Sequence, residues 1–246
     1  MKHEDIRIPS VDEDISTDKL LVMSYLKGKS LMDYRDSSQE IRNRIAHCLF
    51  RAWWVPFGQY GVIHGDPHLG NYSIIEEDNN VLGINLLDFG CVKRFRPIFV
   101  EGVINLYNGL KNHDQQMLIN SYELWGFKNL NQDLIDILNI WANFIYGPIL
   151  DNRNRTVADG IEPELYGRKE AFNVYQALKK IGPVEIPREF VFMDRAAIGL
   201  GSVFLHLNAN LNLHKLFEEA IHGFNIEKLS QKQSDVFRKT GVDYGL

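Results

Sequence analysis

The chain has 246 residues, 45% hydrophobic and 24% charged, with 27 basic against 32 acidic side chains and a net charge of −5. At about 150 residues per domain, this length suits one or two domains with a sizeable core, and the composition excludes wholesale disorder. A mildly acidic chain lacks the positive field that general nucleic-acid binding needs, so no nucleic-acid partner is expected.

In chain order, residues 19–25 (KLLVMSY) read as a short buried strand ended by Gly28. Ile6 to Pro9, with Val11, supply a partner strand. Ser37-x-x-Glu40 is a capping-box pattern. It opens a helix whose apolar residues Ile41, Ile45, Cys48, Leu49 and Ala52 recur at three and four, and which is expected to end near Pro56 and Gly58. Val62, Ile63 and His64 form a strand before a Gly/Pro-punctuated loop. Residues 72–76 and 81–87 read as a hairpin turning at Asp78-Asn79-Asn80.

From Pro97 onward everything reads as helical. Pro97 suits a first helical position, with Ile98, Phe99, Val103, Leu106, Tyr107 and Leu110 on one face. A second helix runs from Asp114 to Trp125, closed by Gly126. Leu134, Ile137, Leu138, Trp141, Phe144 and Ile145 mark a third, broken at Gly147-Pro148. A loop over 151–166 follows, then two or three helices with Gly182-Pro183 as a stop and Pro187 as a start. The tail after Leu229 is polar and is expected to fray.

Cys48 and Cys91 are too few for a disulfide framework or a zinc ribbon, so two free thiols in a reducing compartment are expected. The charged start, Met1-Lys2-His3-Glu4-Asp5, carries no apolar run and reads as no signal peptide. The most apolar stretch, 135–150, is interrupted by Asp136, Asn139, Asn143, Gly147 and Pro148. It falls short of the roughly 18–20 residues of a spanning helix.

The chemistry sits in His64-Gly65-Asp66-Pro67-His68-Leu69-Gly70-Asn71 and in Leu87-Asp88-Phe89-Gly90. Asp66 and Asn71 share one loop, and Asp88 follows a hairpin later. This is a phosphoryl-transfer layout, in which Asp66 accepts or orients the attacking hydroxyl while Asn71 and Asp88 hold a divalent metal. Mg²⁺ takes hard oxygen ligands, which carboxylates and carboxamides supply and thiolates do not. His64, Gly65, His68, Gly70, Phe89 and Gly90 support the phosphate-facing loop, with the glycines relaxing it. The strand before Gly28 fits a nucleotide hinge. There Met23 would guard the pocket, and the Ser24 carbonyl and Leu26 N–H would meet adenine. His64-x-Asp66-x-His68 also has the spacing of a zinc triad on a strand, but Pro67 and Gly70 argue against a strand there.

The runs GVIHGDPHLGNYSI and LLDFGCVKRF, with Gly126-Phe127 and IPREFVFMDR further on, resemble the UbiB-like atypical kinases linked to ubiquinone biosynthesis. The resemblance covers residues 8–217. It implies an α+β, mostly helical, protein-kinase-like C-lobe with short β-hairpins and a C-terminal helical region. It also implies ATP and Mg²⁺ as cofactors, and ATP hydrolysis or lipid-linked phosphoryl transfer in isoprenoid-quinone metabolism. Asp66 matches the family's catalytic Asp, and Asn71 and Asp88 its metal ligands. His68 stands where protein kinases place a phosphate-contacting Lys.

On that resemblance, residues 1–28 correspond to the end of a truncated N-lobe and the hinge, 29–229 to the C-lobe with its helical extension, and 230–246 to a polar tail. Only 22 residues precede Met23, no glycine precedes Gly28, and Lys2 and Lys19 lie too close to the hinge for a strand Lys. Expected consequences are weak ATP–Mg binding, hydrolysis near background, an exposed apolar edge at Leu20, Leu21 and Val22, and a separate chain supplying the N-lobe. A lipid or quinone precursor, or a membrane surface, is a further expected partner, with a cytoplasmic location beside the inner membrane. Lys93, Arg94 and Arg96, with Phe95, Ile98 and Phe99, form the candidate membrane patch.

Two other readings compete. The first is a small-molecule phosphotransferase of the aminoglycoside or choline kinase type, which usually carries a second acid soon after the Asp of the DFG. Residues 90–97 are basic instead. The second is a non-catalytic interaction module.

Overall fold

The computed structural model describes residues 5–240, apart from Pro67, Asn79, residues 163–165 and Pro183. Expectations placed on residues 1–4, Pro67, Asn79, Pro183 and the last six residues lie outside the described residues.

The first part of the chain forms β1 (Ile6–Arg7), β2 (Lys29–Ser30), α1 (Gln39–Tyr60), β3 (Val62–His64), β4 (Tyr72–Glu77), β5 (Asn80–Leu86) and β6 (Val92–Arg94). One sheet has the order β1-β5-β4-β2, and β3 pairs antiparallel with β6. The expected hairpin is β4–β5, with Ser73 opposite Asn85 and a positive φ of 50° at Asp78 in its turn. Gly83 is required where β1 crosses β5, because a Cβ there would lie 1.9 Å from the Asp5 carbonyl oxygen.

Helices follow: α2 (Pro97–Asn112), α3 (Gln115–Trp125), α4 (Gln132–Leu150), α5 (Arg168–Ile181), α6 (Arg188–Leu207), α7 (Leu213–Ile221) and α8 (Ile226–Thr240). Local signals mark several ends as expected. Pro97 opens α2, the Asp114 side chain caps α3 through the Met117 N–H, and Gly126 closes α3 in the left-handed conformation. A line of aromatic contacts joins the first part to the helices. Phe57 meets Phe95 at 5.8 Å, Phe95 meets Phe99 at 4.8 Å, and Phe99 meets Trp125 at 5.7 Å.

Other expectations are corrected. Residues 19–25 do not form a buried strand. Isolated pairings join Val11 to Met23 and Thr17 to Leu20, and Leu20, Leu21 and Tyr25 stand 55%, 62% and 88% exposed. Val11 is thus a partner of this run, whereas Ile6 and Arg7 pair with β5 instead. The N-cap of α1 is Ser38, whose hydroxyl accepts from the Ile41 N–H, so no reciprocal capping box with Glu40 forms. Pro56 lies inside α1, which continues to Tyr60 and is capped by Gly61 at φ 64°. An internal proline costs about 3 kcal/mol. Here the next turn is held by the fully buried Phe57 and by Gly58, packed so closely on the Ala220 carbonyl that a Cβ would come within 2.6 Å. Likewise α4 runs through Gly147 and Pro148, because Pro148 and Ile149 are buried.

Among the described residues four helices, not two or three, follow the 151–166 loop, and Pro187 caps α6 rather than starting it. The polar tail is helical to Thr240. Leu229 is buried, and Gln233 Nε2 donates to the Tyr60 and Phe95 carbonyls at 2.8 and 2.9 Å. Among the described residues, α6, not the 135–150 stretch, is long and apolar enough by length and composition to cross a membrane. The candidate membrane patch loses most of its apolar face. Phe95 and Phe99 are core, Arg96 pairs with Glu189 at 2.8 Å, and of the three apolar members only Ile98 is exposed.

Candidate active site

The Asp66 loop leaves β3, and the Asp88 segment leaves β5 and enters β6. Because β3 and β6 pair, both segments end at one edge of the fold. Three bonds hold them together. The Gly65 N–H donates to the Cys91 carbonyl at 2.9 Å, the Leu87 N–H donates to the Asn71 carbonyl at 3.0 Å, and His64 Nε2 meets the Asp88 carbonyl. A Cβ on Gly65 would lie 2.6 Å from that Cys91 oxygen. Close backbone approach therefore explains Gly65, rather than loop flexibility.

His64 is the buried pivot of the site. Its ring packs at 6.1–6.4 Å from Trp53, Tyr72 and Phe89, and Trp53 Nε1 donates to the Tyr72 hydroxyl at 3.1 Å. A carbonyl oxygen only accepts, so Nε2 carries the ring proton, leaving Nδ1 to accept from the Asp66 N–H at 3.4 Å. His68 is exposed and local: its Nδ1 accepts from the Gly70 N–H at 3.1 Å. With the His64 nitrogens committed to Asp88 and Asp66 and the His68 Nδ1 to Gly70, the His64-x-Asp66-x-His68 spacing does not converge on a metal.

Asp66 is half-buried. Asn71 Nδ2 donates to its Oδ2 at 2.9 Å and the His68 N–H donates to its Oδ1 at 3.1 Å. These bonds, that from Asn71 foremost, hold the Asp66 carboxyl below the usual carboxylate range. Since Asn71 spends its nitrogen on Asp66, its Oδ1 is the end left for a metal. Asp88 is exposed, and its Oδ1 accepts from the Gly90 N–H at 2.8 Å, leaving Oδ2 for the same use. Carboxamide and carboxylate oxygens on one edge fit Mg²⁺. Phe89 is 40% exposed beside His64.

The expected hinge residues are joined to this web only indirectly among the described residues. Met23 pairs with Val11, and the Ser24 N–H and Oγ are both bonded to Ser10. Leu26 is half-buried. The connection runs through Asn85, a buried residue that composition did not single out. Its Nδ2 donates to the Lys27 carbonyl at 3.2 Å and to Ser73 Oγ at 2.9 Å. Gly28 lies over the same pair, where a Cβ would fall 2.3 Å from Ser73 Oγ. The one available signal was a lone Asn inside the apolar run 81–87.

A second cluster, Asp5, His47 and Cys48, places its donor atoms within 4.8 Å of one another. Asp5 Oδ2 is held by Arg51 at 2.6 Å, and burial pushes the Cys48 thiol up to about 11. The group reads as a clasp between the start of the chain and α1.

Residues 1–122 match the ABC1 atypical kinase-like domain. The chain is 26% identical over 171 residues to AarF domain-containing kinase 1 of Drosophila melanogaster, covering 69% of this chain and 31% of that protein. It is 28% identical over 116 residues to AarF domain-containing protein kinase 1 of Xenopus laevis, covering 46% and 22%. It is 26% identical over 113 residues to the mitochondrial atypical kinase COQ8B of Rattus norvegicus, covering 46% and 21%. The chain thus spans about a fifth to a third of these relatives. The fold is also that of Rv3197 from Mycobacterium tuberculosis, solved as a complex with erythromycin, at a TM-score of 0.58 and 21% identity over 89% of this chain and 53% of that one. With its kinase-like domain in residues 1–122, the chain belongs to the UbiB-like atypical kinases.

Proposed function

We propose that Asp66, Asn71 and Asp88 form an ATP–Mg²⁺ site for phosphoryl transfer or ATP hydrolysis. The observation that carries this reading is the shared edge on which Asn71 fixes Asp66 through its nitrogen while its Oδ1 and the Asp88 Oδ2 stay free. Asn71 Oδ1 and Asp88 Oδ2 would hold Mg²⁺, which would supply charge neutralisation at the phosphates. Asp66, kept ionised by Asn71 and His68, orients the attacking hydroxyl and accepts its proton. His64 holds Asp88 against the loop. Ser24 and Leu26 offer backbone groups to adenine beside Met23.

The acceptor belongs to the same proposal. The resemblance to UbiB-like proteins supports an isoprenoid-quinone precursor or another lipid, and a location beside the inner membrane. COQ8B of rat is named as mitochondrial, and another relative, from Arabidopsis thaliana, as chloroplastic. The exposed run of Leu20, Leu21, Met23 and Tyr25 is the surface this reading gives to a covering N-lobe chain.

The test is calorimetric binding of a non-hydrolysable ATP analogue with and without Mg²⁺. Binding is expected to need Mg²⁺ and to weaken at least about tenfold in Asp88→Ala, through loss of a metal ligand. Asp66→Asn is expected to leave binding within about threefold while removing any measurable turnover. Binding indifferent to both Mg²⁺ and Asp88→Ala would overturn the proposal.

A further inference from the structure

A cavity of about 340 Å³ lies among α1 to α7, built from residues other than those of the Asp66 edge. That volume is at the small end of the ~300–1,000 Å³ typical of ligand pockets. Its wall is aromatic, with Trp54, Trp125, Trp141, Phe144, Tyr166 and Phe190 prominent. The rings support one another: Trp141 and Phe190 lie 4.7 Å apart, Trp125 and Phe190 5.4 Å, and Phe144 and Tyr166 5.2 Å.

One charged side chain enters this wall. Asp194 on α6 lines the cavity, and its Oδ1 accepts from Trp141 Nε1 at 2.7 Å. Among the described residues no Lys, Arg or His lines the cavity, and no basic side chain forms an ion pair with Asp194. Desolvation pushes its carboxyl above the usual range, against the pull of the Trp141 bond. A desolvated carboxylate without a counter-charge is costly, and a cation removes that cost. Aromatic faces attract cations as well, so the wall and the carboxylate favour the same ligand charge.

We propose that this cavity binds a small, largely apolar organic ammonium, with its cationic head at Asp194 and its apolar body against the aromatic wall. Neither the residues nor the ligand overlap with the ATP–Mg²⁺ reading, so either can fail alone. Gly201 provides a filling variant. It lines the cavity from within α6, and a Cβ there would meet no atom within 4 Å. A leucine at this position occupies the space and also improves helix propensity.

The experiment titrates the whole chain with 4-phenylbutylammonium and with the neutral 4-phenylbutan-1-ol, read by calorimetry and tryptophan fluorescence. The ammonium is expected to bind at least about tenfold more tightly than the alcohol, the scale of a desolvated charge pair with a cation–aromatic contribution. Asp194→Asn should bring the ammonium to the level of the alcohol and leave the alcohol unchanged. Gly201→Leu should weaken the ammonium by more than about tenfold while retaining the folded circular-dichroism spectrum. Equal binding of both probes would reduce the site to a plain apolar cavity and overturn the proposal. So would absence of ammonium binding, or binding that survives Gly201→Leu. If Asp194→Asn fails to fold, the paired probes and Gly201→Leu still decide.

Discussion

Asn71 does two tasks with the two ends of one amide. Its nitrogen depresses the Asp66 pKa, and its oxygen is the end the proposed site gives to a metal. A depressed carboxylate stabilises the fold above its unfolded pKa of about 3.9, and that contribution is lost as pH falls through the lower folded value. Asn71→Ala removes the leading cause of the shift, so the Asp66 titration followed by carboxyl ¹³C NMR should move up toward the ordinary value. An unchanged midpoint would show that the His68 N–H, not Asn71, sets it. His64 illustrates a residue whose type was legible while its role was not. The motif marks it as loop support, but its partners Trp53, Tyr72 and Phe89 come from three separate segments.

At the scale of elements, helix ends were readable where the signal was local, as at Pro97, Asp114 and Gly126. They were misread where packing decided. Ser37 and Ser38 compete for the start of α1, and the backbone selects Ser38. Ser38→Ala should therefore cost about 0.5–1 kcal/mol in urea unfolding, and Ser37→Ala close to nothing. The reverse order would restore the capping box with Glu40. Both helix-internal prolines, Pro56 and Pro148, read as stops in the sequence because a proline removes a hydrogen bond. Burial of Phe57 and Ile149 one residue later keeps each helix going.

Across the whole molecule, the kinase-like first half and the later helices share one core. Phe50 meets Phe204 at 6.2 Å, and Trp54 meets Phe217 edge-on at 4.9 Å. Cys48 sits in that core and Cys91 on the site edge, exposed. Ellman's reagent should titrate one thiol in the native protein. The second should react more than about a hundredfold more slowly, at the pace of unfolding, since its thiol is both buried and protonated. Two fast thiols would mean that the shared core opens readily.

The sequence by itself singled out the residues of the candidate site. Asp66, Asn71 and Asp88 are few, polar and closely spaced, and short-range spacing survives any folding of the rest. It also determined most helices, because periodicity and caps act within a few residues. Tertiary structure alone decided that residues 19–25 stay uncovered, that Asn85 ties Lys27 to the hairpin, and that Asp194 faces an aromatic cavity. Each of these depends on which distant surfaces meet, and burial of a side chain is a property of its neighbours in space rather than in the chain.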